Sequence, residues 1–247
     1  MAIRFDILTT FPEMFGTEPP AALAVSIPGR ARRAGLVEWN ATDIRAFADN
    51  KHKKTDDRPF GGGPGMVMMC QPLWDATLAA ESLDPRPATR ILMSPQGRRL
   101  EQSLVEQLAT RPRLLIISGH YEGIDERVIE RLAPLEISVG DYVLSQGELA
   151  AMVLIDAVTR LIPGALGDGG SAIADSFSAV GPSGARLLDH PHYTRPAVWD
   201  GIPIPEVLSS GDHARVAKWR LEQALARTGE RRPDLLPTPQ EPGGRAD

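Results

Sequence analysis

Three short glycine-containing segments carry the polar groups best suited to holding a small molecule. They are Ser94-Pro95-Gln96-Gly97-Arg98, Gly119-His120-Tyr121-Glu122-Gly123 and Gly140-Asp141-Tyr142-Val143-Leu144-Ser145-Gln146-Gly147-Glu148. Each follows a strand-like run, at 90–93, 114–118 and 136–139. In open α/β sheets, ligands bind beyond the carboxyl ends of the strands. One such loop would mean only a tight turn. Three in phase with three strands predict a single pocket whose backbone N–H and C=O groups read a flat polar ring.

The run Gly61-Gly62-Gly63-Pro64-Gly65-Met66 is no phosphate loop, since no Gly-Lys-Ser/Thr follows, and it is no GxGxxG, since position 68 is Met. What remains is a loop whose backbone is approached closely. The stretch His52-Lys53-Lys54-Thr55-Asp56-Asp57-Arg58 ahead of it suits a nucleotide. Its cations would meet phosphate and its carboxylates the base N–H groups. Phe60 is expected in the core rather than stacked on a base. Asp189, His190 and His192 invite a metal reading, but His-x-His on a loop is weak without a third spaced ligand, and no metal site is expected there.

The elements that must position these residues follow from the hydrophobic pattern. Two further strands read at 3–8 and 36–41, and helices near 71–82, 101–109, 125–132 and 148–162. Strands alternating with helices predict an α/β domain with a mainly parallel sheet. Pro163-Gly164 ends the long helix. Gly167-Asp168-Gly169-Gly170-Ser171-Ala172 reads as a flexible linker. Loops dense in Pro and Gly follow, then a helix near 213–228 with Asp212 as its N-cap, then a proline-rich tail from 236 that is expected to fray. The expected organisation is a domain at 1–166, a linker at 167–174 and a smaller domain at 175–247.

Composition is that of a globular protein, with 42% apolar and 24% charged residues. Cys70 is the single cysteine, which excludes an internal disulfide and a Cys-based zinc site. The longest apolar run, 149–155, is seven residues, far short of the roughly 20 that span a bilayer. No signal peptide is visible at the start, so a cytoplasmic location without membrane contact is expected. The net charge of −5 argues at first against a nucleic-acid partner. The sign is local, however: segments 1–60, 61–120 and 181–247 sum to +1, +1 and 0, while 121–180 sums to −7. Basic clusters persist at Arg30, Arg32 and Arg33, at Lys51 to Arg58, and along Arg215 to Arg232.

The strings DDRPFGGGPGM (56–66), SPQGR (94–98), YEGIDER (121–127), GDYVLSQGE (140–148), IDAVTRLIPG (155–164), DSF (175–177) and PHYTRP (191–196) together resemble the bacterial tRNA (guanine-37-N1)-methyltransferase family of the SPOUT class. The resemblance runs over nearly the whole chain. It implies an α/β domain with a deep trefoil knot, which general topology rules would not favour, joined to a small helical C-terminal domain. It implies S-adenosylmethionine as methyl donor, bound by Met93, Ser94, Pro95, Gln96, Gly119, Tyr121, Glu122, Gly123, Ser138, Val139, Gly140, Asp141, Tyr142, Val143, Leu144 and Gly147. It implies a tRNA anticodon arm as partner, met by His52, Asp56, Arg58, Gly61, Gly62, Gly63, Gly65, Ser176, Phe177, His192, Arg195, Arg215 and Lys218. It further implies a homodimer with shared sites and a divalent ion such as Mg²⁺, for which no ligand cluster is legible.

Three places depart from the family pattern. His120 stands where Arg is usual, with a contact at the cofactor edge at stake. Gln146 replaces a glycine, so a positive φ there would be strained. Six extra residues, near 179–184, are expected only to lengthen a loop.

In the implied reaction, guanine N1 must lose its hydrogen before it attacks, and charge then gathers on O6. Asp175 is the candidate base; as an aspartate of ordinary pKa about 4, it needs closure or burial to work well. Arg160 is the candidate for stabilising O6 and orienting Asp175. It is the only Lys or Arg between 132 and 185, in a very apolar helix. Bland alternatives are a helix N-cap for Asp175 and a helix-end salt bridge for Arg160. Two other readings stay open: a catalytically silent RNA-binding protein of the same fold, against which Arg160 and Asp175 count, and a phosphoesterase using Asp189, His190 and His192, against which the lack of a phosphate loop and of a nucleophile elbow counts.

Overall fold

Five strands form the main sheet: β1 (Ile3–Thr9), β2 (Val37–Asp43), β5 (Thr89–Arg99), β6 (Arg113–Ser118) and β7 (Leu135–Ser138). All neighbours run parallel, in the order β2-β1-β6-β5-β7. The computed structural model describes residues 2–167 and 175–237. The expected linker residues 168–174 and tail residues 238–247 lie outside the described residues. The chain divides into two units, Met1–Gly167 and Asp168–Asp247. The sheet lies in the first.

The central strand β6 is buried at every position, as a parallel sheet covered on both faces requires. Alternate residues feed two cores. Phe5, Ile7, Ile91 and Ile116 join one core with α1 (Ser26–Arg33), α3 (Gln102–Ala109) and α5 (Gly147–Arg160). Leu8, Leu92, Leu115 and Ile117 join the other with α2 (Cys70–Ser82) and α4 (Glu126–Leu132). Arg113, 1% exposed, opens β6 inside the protein. Its guanidinium donates to Asp6 Oδ2 at 2.7 Å and to the carbonyls of Ala80, Glu81 and Asp84. A buried charge is tolerated only when so paired.

The structure corrects several expectations. The first glycine segment is not a loop after a strand. β5 continues through it to Arg99, and Ile137 pairs with both Met93 and Arg98 across an irregularity. Gly97 allows this, since a Cβ there would lie 2.4 Å from the Ile137 nitrogen. Helix α1 went unread because Pro28 and Gly29 argue against a helix; Pro28 falls in the first turn, where its missing N–H costs nothing, and a Cβ at 29 would strike the Ala24 carbonyl. Gln146 carries no positive φ; it is extended, at φ −161, and caps α5. Phe60 is not core but fully exposed.

Two short hairpin strands, β3 (Asp56–Asp57) and β4 (Val67–Met68), flank the glycine run in the first unit. Among the described residues, the second unit holds the two-residue strands β8 (Val198–Trp199) and β9 (Ile202–Pro203) and the α-helix α6 (His213–Arg231). The Asp212 carboxylate accepts from the Arg215 N–H and caps α6. The buried Thr228 hydroxyl accepts from the Leu188 N–H at 2.9 Å, tying α6 to the preceding loops. The extra residues fold back on themselves, Gly181 N–H donating to the Ala185 carbonyl at 2.8 Å. Among the described residues no helix is long and apolar enough to cross a membrane.

Candidate active site

A cavity of about 450 Å³ opens at the carboxyl ends of β6 and β7 and along Leu92–Gln96 of β5. All the expected cofactor residues line it except Asp141, which is exposed on the same loop but outside the lining. Glu122, Glu126 and Glu136 line it and no Lys or Arg does. The field inside is therefore negative, which suits a cationic ligand.

Close backbone contact shapes the walls. The N–H of Gly147, where α5 begins, donates to the Gly119 carbonyl at 2.9 Å. A Cβ on Gly147 would lie 2.7 Å from the Gly119 nitrogen. The loop after β6 turns through positive φ at Tyr121 (62°) and Gly123 (150°), a conformation uncommon for a bulky residue.

That loop is zipped to the glycine run. Glu122 N–H donates to the Met66 carbonyl at 3.0 Å, Met68 N–H to the Gly123 carbonyl at 2.9 Å, and Asp125 N–H to the Met68 carbonyl at 3.0 Å. The close approach expected at the glycine run is made by Glu122, whose carboxylate occupies the place a Cβ on Gly65 would take. Tyr121 bridges the same seam. Burial pushes its phenol up, and the Asp56 carboxylate, to which the hydroxyl donates, adds to the rise.

Behind the wall lies Glu148, which composition and spacing did not mark as buried. It is 0% exposed. One oxygen accepts from the Thr9 hydroxyl and the other lies 2.7 Å from His120 Nε2. His120 lines the cavity and its ring centroid is 5.0 Å from that of Phe11. The departure from Arg at 120 thus changes a group on the cavity wall that is tied to a buried carboxylate. Nothing local signals this, because Thr9 and Glu148 are 139 residues apart.

The remaining expected residues fall in three places. His52, Arg58, Gly61, Gly62, Gly63 and Gly65 are exposed around Phe60, with Asp56 half-buried. Arg160 ends α5, about 20 Å along the helix from Gly147 and outside the cavity lining. Asp175, Ser176, Phe177, His192, Arg195, Arg215 and Lys218 belong to the second unit. There the Ser176 hydroxyl accepts from the Asp189 N–H, and the Phe177 carbonyl accepts from the Arg186 guanidinium at 2.6 Å. His192 contacts Asp189, and Arg215 and Lys218 are exposed on α6.

The fold and cavity define an α/β ligand-binding domain followed by a small second unit. A sequence model for tRNA (Guanine-1)-methyltransferase, TrmD, matches residues 3–238. The chain belongs to that family. It is 56% identical over 233 residues to the tRNA (guanine-N(1)-)-methyltransferase of Halorhodospira halophila, covering 94% of this chain and 84% of the relative. Proteins of the same name from Ruminiclostridium cellulolyticum (52% over 235 residues, 95% and 96% covered) and Moorella thermoacetica (54% over 239 residues, 95% and 90% covered) are similar as well.

Proposed function

We propose that this protein transfers a methyl group from S-adenosylmethionine to N1 of guanine 37, next to the anticodon of tRNA. The observation that carries the reading is the cavity at the strand ends, lined by three glutamates and by neither Lys nor Arg. Its size and sign fit a methyl donor that is a sulfonium cation. The donor, when bound, supplies an electrophilic methyl group for in-line displacement by N1.

The chain's own residues then have separable tasks. Glu122 faces the positive charge, and Met93–Gln96, Gly119–Gly123 and 138–147 hold and orient the donor. Asp175 takes the N1 proton, and Arg160 stabilises the charge on O6 and orients Asp175. The reaction cancels a cation against a developing anion, so a cavity closed to water favours it. Orientation supplies much of the remainder.

Arg160 sits about 15 Å along α5 from Ala150, the last residue of that helix in the cavity wall, so Arg160 and the donor cavity of the same chain are separated. This supports a homodimer in which the second unit of one chain completes the cavity of the other. The exposed Leu149 and Val153, one turn apart on α5, with Val143 beside the cavity, offer apolar surface for such pairing. The double pairing of Ile137 with β5 and the tight seat of Gly147 on Gly119 agree with a knotted cofactor domain. The basic face of α6 fits the tRNA backbone, and the work belongs in the cytoplasm.

No described carboxylate cluster fits Mg²⁺: the described metal-ligating group is Asp189, His190 and His192, a donor set unlike the oxygens Mg²⁺ takes.

The deciding experiment is transfer of labelled methyl from S-adenosylmethionine to tRNA transcripts with and without guanine at position 37. Label on the first only is expected. Label on both, or on neither, overturns the reading.

A further inference from the structure

We propose that Asp189, His190 and His192 form a binding site for a first-row divalent metal ion of the zinc type. The site belongs to the second unit and does not depend on the methyl-transfer reading.

One donor atom from each residue lies within 4.8 Å of the others. His192 Nε2 is 2.7 Å from Asp189 Oδ2, and His190 Nε2 is 3.7 Å from Asp189 Oδ1. Metal–ligand bonds of about 2.0–2.1 Å place neighbouring donors of a tetrahedral ion about 3.3 Å apart, between those two separations. The two contacts use different oxygens of Asp189, so turning its carboxylate and the two imidazoles brings one donor from each residue to that spacing.

The surroundings prepare the donors. His190 Nδ1 lies 3.1 Å from the Pro191 carbonyl. A carbonyl only accepts, so Nδ1 carries the hydrogen and Nε2 of the neutral ring keeps its lone pair. A ligating histidine commonly has such a carbonyl behind it. Asp189 is anchored through its N–H to the Ser176 hydroxyl at 2.9 Å. The side chains of His190 and Asp189 are 16% and 22% exposed, while that of His192, at 70%, leaves an approach from solvent.

Two imidazoles and one carboxylate suit zinc and its neighbours rather than Mg²⁺. A cavity of about 350 Å³ adjoins the site, lined by both histidines and by Arg195 and Arg220. Those guanidiniums favour an anionic oxygen as the remaining ligand.

The test uses the full-length chain without an affinity tag, stripped with a chelator. Zn²⁺ is titrated by calorimetry and Co²⁺ by visible absorption. One equivalent per chain is expected, with the strong visible bands of four- or five-coordinate Co²⁺, and without competition from Mg²⁺. His192→Ala, at an exposed position, and His190→Gln are each expected to weaken binding at least about tenfold while circular dichroism stays unchanged. Absence of stoichiometric binding overturns the proposal. So does binding that neither substitution weakens, which would place the ion elsewhere.

Discussion

The fully buried Glu148 carboxylate holds the His120 ring at 2.7 Å and is itself held by the Thr9 hydroxyl. A side chain on the cavity wall is thereby fixed by a group that no ligand touches. Glu148→Ala leaves both partners unsatisfied. It is expected to lower stability by about 1–3 kcal/mol, read from urea unfolding, and to weaken S-adenosylmethionine binding. Unaltered cofactor affinity would show that His120 keeps its place without Glu148.

Gly147→Ala puts a methyl group 2.7 Å from the Gly119 nitrogen, a backbone atom that no rotamer change can move. The expected cost is about 1–3 kcal/mol, with a weaker cofactor complex. Gly62→Ala has open space around it but a φ of +78°, so it strains the exposed loop locally and should spare the cavity.

Asp175→Ala is expected to abolish turnover while tRNA affinity stays within a few-fold. Single-turnover methylation near the unmodified rate would remove Asp175 as the base. Arg160→Ala should slow the chemical step; a loss confined to tRNA affinity would make Arg160 a binding residue.

Arg215→Glu combined with Lys218→Glu reverses two exposed charges on α6. Weaker tRNA binding is expected, together with a salt dependence shallower by about 1.5 in log–log slope if both meet phosphates. An unchanged slope would put the RNA backbone elsewhere.

The Arg127 guanidinium, with help from the Cys70 thiol, holds the Asp125 carboxyl well below the usual carboxylate range, against the opposing effect of burial. A depressed folded-state value stabilises the fold fully above the unfolded pKa of about 3.9 and ceases to do so as pH falls toward the folded value. The urea midpoint should therefore fall between about pH 5 and about pH 2, and fall less in Asp125→Asn. Equal slopes would show that this pair does not contribute to acid sensitivity.

Much of this was readable from the residues. The buried strands announced themselves because a parallel sheet leaves near-continuous apolar runs such as Leu114 to Ile117, and the loops after β6 and β7 carried glycine. The cavity residues were legible from that phase relation, although segment 94–98 is part of β5 and not a loop. Helix α1 did not, because Pro28 and Gly29 are tolerated by position and by packing against Ala24, neither of which is a local property. The burial of Glu148 is not legible for a similar reason: the first turn of a helix is usually wet, and only the arrival of Thr9 from β1 satisfies an interior acid there. Phe60 erred the other way, since composition favours burying a phenyl ring and only the hairpin's course leaves it outside.

The backbone ladder between 66–68 and 122–125 makes two recognition surfaces one mechanical body. A ligand that stiffens Tyr121 to Gly123 also stiffens the base of the loop carrying Phe60, and that loop when held returns the favour. Such coupling is reciprocal by thermodynamic necessity. Whatever factor the donor adds to the affinity for RNA, RNA adds to the affinity for the donor.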